Sequence, residues 1–129
     1  HQKNGLIPTL YNRIINNQSL TIFGEGDQVR DYVYIEDIIT FFEKACISEI
    51  TNNSIYNMGT GKGTTIKEII EILTKTLQIE PKIEYKPLRP GEIGNFVSDI
   101  SHLKSSFGNI PDTTVTDGLE KTVNWLKNH

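Results

Sequence analysis

The stretch from Thr21 to Asp37, TIFGEGDQVRDYVYIED, limits the folds open to this chain more than any other. Two runs rich in β-branched and aromatic residues, Thr21–Phe23 and Tyr32–Ile35, flank a polar connector that carries Gly24, Gly26 and Asp27. Glycines set between such runs predict a strand–turn–strand unit. Arg30 and Asp31 open the second strand, where Arg30 can present a planar, five-donor fork to an anion. Glu36 and Asp37 close that strand and are placed to cap a following helix.

On either side of this unit the apolar periodicity is helical. Leu6, Leu10 and Ile14, with Ile7, Tyr11 and Ile15 beside them, predict a first helix that starts near Pro8 and ends at Asn16-Asn17. Ile38, Ile39, Phe42, Ala45 and Cys46 predict a second. A turn at Thr51-Asn52-Asn53 leads to a short strand, Ser54–Met58, and then to the glycine-rich run Gly59–Thr64. Thr65 and Glu68 have capping-box spacing, so a third helix follows with Ile66, Ile69, Ile70, Leu73 and Leu77 inward. Lys82–Lys86 alternates like a half-buried strand, and Pro87–Glu92 forms a stiff loop. A short helix over 101–106 stops at Gly108. The last helix takes Thr116 as its N-cap and turns Leu119, Val123 and Leu126 inward, with Trp125 beside them. Strands and helices mixed without repeats indicate a single α/β domain of α+β character over residues 1–129. The run opens abruptly, without a linker or a first strand, as a piece of something longer would.

Composition narrows the function classes. A formal charge of −3 argues against a nucleic-acid binder, which must neutralise many phosphates. No apolar run is long enough for a membrane span and no signal peptide opens the chain, which points to the cytoplasm. The single cysteine, Cys46, excludes an internal disulfide and suits a reducing compartment. It reads as packing on an apolar helix face rather than as a nucleophile, because the histidines stand at 1, 102 and 129, away from it in sequence. No metal-ligand spacing is present.

Two features point to anion chemistry. The Gly59–Thr64 loop sits between a predicted strand and a predicted helix, yet it fails both common phosphate-loop patterns. The dinucleotide pattern needs glycine where Thr64 stands, and the P-loop needs Lys followed by Ser or Thr, whereas Lys62 precedes Gly63. A tight turn is the preferred reading over direct phosphate contact. Arg89 is held between Pro87 and Pro90, which restrict the loop and can pre-aim its side chain. Either arginine alone reads as solvated. Arg30 and Arg89 together could converge on a diphosphate, whose oxygens match guanidinium forks.

The runs TIFGEGDQVRDYVYIED, IYNMGTGKGTTIKEI, RPGE and TDGLEKTVNWL, in that order over nearly the whole chain, resemble the C-terminal portion of NAD-dependent sugar-nucleotide epimerases and dehydratases. These form the extended short-chain dehydrogenase/reductase family, typified by UDP-glucose 4-epimerase. The resemblance implies the substrate domain of a Rossmann-type enzyme that grips the nucleotide of a UDP-sugar for C4 epimerisation. Arg30 and Arg89 would hold the diphosphate, Leu6 and Phe23 would line the uracil site, and Glu92 would contact the ribose region. Tyr32 and Phe96 would complete the pocket wall.

Several positions depart from the family. Glu92 stands where aspartate is usual, Phe96 where a tyrosine can be, and Gly5 where some relatives carry a polar side chain. The family's glycine-rich NAD fold and Tyr-x-x-x-Lys pair have no match in this chain, so no catalytic residue is assigned. The implied partners are a UDP-sugar, an N-terminal half that binds NAD, and further copies in a homo-oligomer. This portion alone would be inactive and self-associating. A nucleotide-sugar dehydratase is the second enzyme reading, although such relatives tend to carry tryptophan at the place of Tyr32 and histidine at that of Glu92. A non-catalytic binding module is the third.

Overall fold

The computed structural model describes residues 5–49, 54–108 and 112–128. Its helices are α1 (Leu6–Ile15), α2 (Ile35–Ile47), α3 (Ile66–Leu77), α4 (Ser101–Phe107) and α5 (Val115–Lys127). Its strands are β1 (Leu20–Phe23), β2 (Val29–Arg30), β3 (Thr64–Thr65), β4 (Ile83–Lys86) and β5 (Asn95–Phe96). They form two small sheets. β1 pairs in parallel with β4, while β2 lies between β3, antiparallel, and β5, parallel.

One apolar core binds α1, β1, α3 and α5. Leu10, Tyr11 and Ile14 meet Leu20 and Ile22, then Ile69, Ile70 and Leu73, and finally Leu119 and Val123. Helical spacing puts each helix's contributors on one stripe, and burying an aliphatic side chain of this size stabilises by about 1.5–3 kcal/mol. A second cluster joins α2 to α4. There Phe41 meets Phe107 edge-on at 5.9 Å, and Phe107 meets Tyr56 at 5.5 Å.

The structure revises several expectations. The strand–turn–strand unit is not a hairpin, because β1 and β2 enter different sheets. The second strand is Val29–Arg30 rather than 32–35; Tyr34 is the N-cap of α2, and Glu36 and Asp37 fall in its first turn. The helix rotates Phe41 inward and leaves Ile39 50% and Phe42 70% exposed, with Cys46 exposed too. Ser54–Met58 forms no strand and pairs with no described strand. β4 forms as expected, yet all four of its residues are exposed. α5 begins two residues early, since the Thr114 hydroxyl accepts from Asp117 N–H at 3.1 Å. The turn expected at 51–53 lies outside the described residues.

The capping box at α3 forms as its spacing predicts. Glu68 N–H donates to Thr65 Oγ1 at 3.2 Å, and Thr65 N–H donates to Glu68 Oε2 at 2.7 Å. Because α3 supplies the centre of the core and its first turn borders both sheets, Thr65→Ala should lower unfolding free energy by about 1 kcal/mol, the usual worth of such a cap. Urea denaturation checks this, and an unchanged midpoint would show that the box carries no stability.

Candidate functional site

A cleft of about 480 Å³ opens between α1, the end of β1 and the loop after β4. Leu6 and Leu10 of α1 and Phe23 of β1 give it apolar walls, and Arg13, Lys86 and Arg89 give it cations. The Arg89 guanidinium lies over Phe23, its carbon 3.7 Å from the ring centroid. Such a cation–π contact contributes about 0.5–2 kcal/mol and fixes the direction of the side chain. Glu92 lines the same cleft, held one short turn beyond Arg89 by a Glu92 N–H to Arg89 carbonyl bond at 3.2 Å.

Two of the residues that line this space carry a buried side-chain oxygen without a hydrogen-bond partner among the described residues. Gln28 is 6% exposed; its Nε2 donates to the Phe23 carbonyl and its Oε1 has no partner. Glu92 Oε2 is likewise buried and unpartnered. A buried acceptor left without a donor costs about 1–3 kcal/mol.

Arg30, on β2, is not among the residues that line the cleft. Its Nη1 donates to the carbonyls of Val29 at 2.7 Å and Gly94 at 3.2 Å, and its Nη2 to that of Ile93 at 2.7 Å. It thereby fastens the far end of the loop that carries Arg89 and Glu92. These three bonds leave donors of the five-N–H fork for an anion.

Asp31, the next residue, solves the problem of the glycine loop. Its carboxylate accepts from Thr60 N–H at 2.9 Å, Gly61 N–H at 3.0 Å, Ser98 N–H at 3.2 Å and the Thr60 hydroxyl. The chain supplies its own anion to the loop. Gly59 is glycine because a Cβ there would lie 2.6 Å from both Asp31 Oδ2 and Ser98 Cβ. Burial alone would raise the Asp31 pKa, but the bonds from Thr60, Gly61 and Ser98 outweigh it and hold the carboxyl below its ordinary range.

Four of the residues singled out in the sequence, Leu6, Phe23, Arg89 and Glu92, therefore share one cleft. Arg30 and Phe96 do not line it: Arg30 bonds the loop's carbonyls instead, and Phe96 stands opposite Arg30 in the β2–β5 register, 56% exposed. Tyr32 does not join them. It packs against the core and lines a separate cavity of about 70 Å³ with Ile7, Ile69 and Thr122, where burial pushes its hydroxyl pKa up against the pull of Arg30. The sequence gives no sign of what Asp31 and Gln28 do. One is an acid beside a candidate anion-binding arginine, the other a polar residue in a turn, and neither pattern reveals what the side chain faces. Among the described residues, no three His, Cys, Asp or Glu come together as a metal site, and no helix is long and apolar enough to cross a membrane.

Comparison with known proteins agrees with this architecture. The family described as NAD dependent epimerase/dehydratase matches residues 1–59. A UDP-glucuronate 4-epimerase of Thermodesulfobacterium geofontis is 33% identical over 117 residues, which cover 88% of this chain and 35% of that protein. The crystal structure of UDP-glucuronic acid 4-epimerase from Bacillus cereus, in complex with UDP-glucuronic acid and NAD, matches with a TM-score of 0.89 and 27% identity over 98% of this chain and 40% of that one. UDP-glucose 4-epimerase from Thermotoga maritima, with UDP-glucose, matches with a TM-score of 0.81 and 28% identity over 96% of this chain and 40% of that one. The chain spans 35% of the first of these proteins and 40% of the other two.

The low Asp31 pKa has a stability consequence of definite sign. A carboxyl with a lower pKa in the folded state stabilises the fold above its unfolded value, near 3.9, and that contribution disappears as pH falls through the folded value. Asp31→Asn should therefore destabilise at pH 7 by about 1.5 kcal/mol, the low end of the range for bonds to a charged group, because solvent partly screens the site. The gap should begin to narrow at about pH 4 and close as pH falls through the lowered folded-state value. Urea titrations of both proteins from neutral to acid pH check this. A gap independent of pH would show that the charge is immaterial.

Proposed function

The chain belongs to the NAD dependent epimerase/dehydratase family, and on that premise we propose that its cleft grips the nucleoside diphosphate of a UDP-sugar for epimerisation at C4. The observation that carries this reading is the shared cleft: apolar walls at Leu6 and Phe23, a directed guanidinium at Arg89, and Glu92 on the same lining. Leu6 and Phe23 take the flat uracil, Arg89 and the free donors of Arg30 take the diphosphate, and Glu92 accepts from the ribose. Tyr32, facing another cavity, supports the site only through packing.

In this reading the residues of the chain bind and orient, and the hexose projects beyond them. NAD, when bound in the longer enzyme, supplies the acceptor for the hydride at C4. The glycine loop of this chain is a poor cradle for its phosphates, because the Thr60 and Gly61 amides already hold the Asp31 carboxylate. The remainder of the enzyme provides the NAD site and the catalytic pair.

Arg89→Ala should weaken UDP binding by about 1.5–3 kcal/mol, the worth of a hydrogen bond to a charged group, and Arg30→Ala by a similar amount. Calorimetry with UDP measures both. Unchanged affinity in Arg89→Ala would remove the diphosphate from this cleft.

The exposed face of α2, with Ile35 at 58%, Ile39 at 50% and Phe42 at 70%, is where the remainder of the enzyme packs in this reading. Left open, it should draw copies of the 129-residue chain together. Light scattering after size-exclusion chromatography should give a mass that rises with concentration and falls back to monomer in Ile39→Lys/Phe42→Lys. A monomer at every concentration would count against that role.

A further inference from the structure

Arg89 and Glu92 lie on one loop, and the usefulness of the cleft depends on where that loop is held. At its near end the loop leaves β4, whose Lys86 pairs with Phe23 and whose carbonyl accepts from Gly24 N–H at 2.8 Å. At its far end it enters β5, where Val29 N–H donates to the Gly94 carbonyl at 2.9 Å and the Arg30 fork takes those of Ile93 and Gly94. Just past β5 the Ser98 amide donates to Asp31 Oδ2. The same carboxylate seats the glycine loop through Thr60 and Gly61.

From this geometry we infer that Asp31 is a positioning residue for the nucleotide cleft: its carboxylate, seated among the amides of Thr60, Gly61 and Ser98, fixes the far end of the Arg89–Glu92 loop. The inference rests on the reading of that cleft as a UDP site. Asp31 lies outside the cleft lining and acts only through what it holds. Removing the carboxylate leaves three N–H groups converging on a space the size of a carboxylate and takes away the link that Asp31 makes between Ser98 and the glycine loop. A small free carboxylate matches that space in both shape and charge.

Chemical rescue tests this. In Asp31→Ala, UDP affinity measured by calorimetry should fall about tenfold, as expected when one charge-assisted hydrogen bond no longer holds the loop. Added formate should restore it, whereas formamide, similar in size but neutral, should not. A purely structural defect would not answer to formate and ignore formamide. Unchanged affinity in folded Asp31→Ala overturns the inference, as does a weakening that formate leaves in place. Should that variant fail to fold, Thr60→Val deletes one donor and keeps the carboxylate. It should weaken UDP binding by about threefold, and unchanged affinity there overturns the inference equally. Should the unaltered protein not bind UDP at all, the cleft reading fails by itself. The role of Asp31 is then read from the NMR amide resonances of Arg89 and Glu92, which should shift in Asp31→Ala and return with formate; resonances that stay put overturn it.

Discussion

One carboxylate accepting from four donors on two chain segments organises this end of the fold. The β2 strand is only Val29–Arg30, too short to define a sheet by its ladder, and β3 and β5 are equally short. What holds these short strands in register is the pair of side chains at the end of β2. Arg30 ties down carbonyls before β5, and Asp31 ties down amides after it and in the glycine loop. Adjacent residues in an extended chain point to opposite faces, so a cation and an anion side by side engage opposite backbone polarity on opposite sides. Bonds to ionised groups are also about twice as strong as neutral ones, which suits a sheet with so few backbone bonds.

The cleft inherits its shape from this latch and from the main core. α1 and β1 bring Leu6, Arg13 and Phe23 to one side, and both rest on fully buried residues, Ile14 and Leu20. Those walls are fixed by close packing and yield little. The opposite wall is a loop of mostly exposed residues between β4 and β5, which packing alone would not fix. Its position comes from the Arg89–Phe23 stack and from the Arg30 and Asp31 bonds. A rigid apolar side facing a polar side held by directional contacts suits a ligand that has a flat base at one end and charge at the other.

The sequence discloses what depends on local periodicity and hides what depends on partners far along the chain. The α3 capping box and stripe, the stop of α4 at Gly108 and the inward face of α1 are legible because each needs only neighbours within a turn. The misplaced second strand is not. Tyr32–Ile35 has ideal strand composition, but Tyr32 is drawn into the core and Ile35 starts α2, so β-propensity yields to tertiary packing. Ser54–Met58 finds no strand partner among the described residues, and a strand signal without a partner makes no ladder. At the site, Leu6, Phe23 and Glu92 come from the family resemblance and not from spacing, and Arg89 gains its role there. Gln28 and Asp31 escape both routes, because their significance lies in a buried unpartnered oxygen and in bonds spanning 29 to 67 residues of sequence.

The distribution of cations separates two tasks that the sequence alone merges. Read from sequence, Arg30 and Arg89 act as equals on one diphosphate, yet only Arg89 lines the cleft, directed there by its stack on Phe23. Arg30 divides its fork between the loop's carbonyls and whatever lies beyond. A guanidinium so divided is oriented before a ligand arrives, and little rotamer freedom remains to be lost on binding. In the proposed reading, binding energy is gathered at the nucleotide end, away from the sugar carbon where the chemistry occurs. An anchor that is tight on the diphosphate and silent toward the hexose suits a reaction in which the two faces of the sugar must be presented in turn.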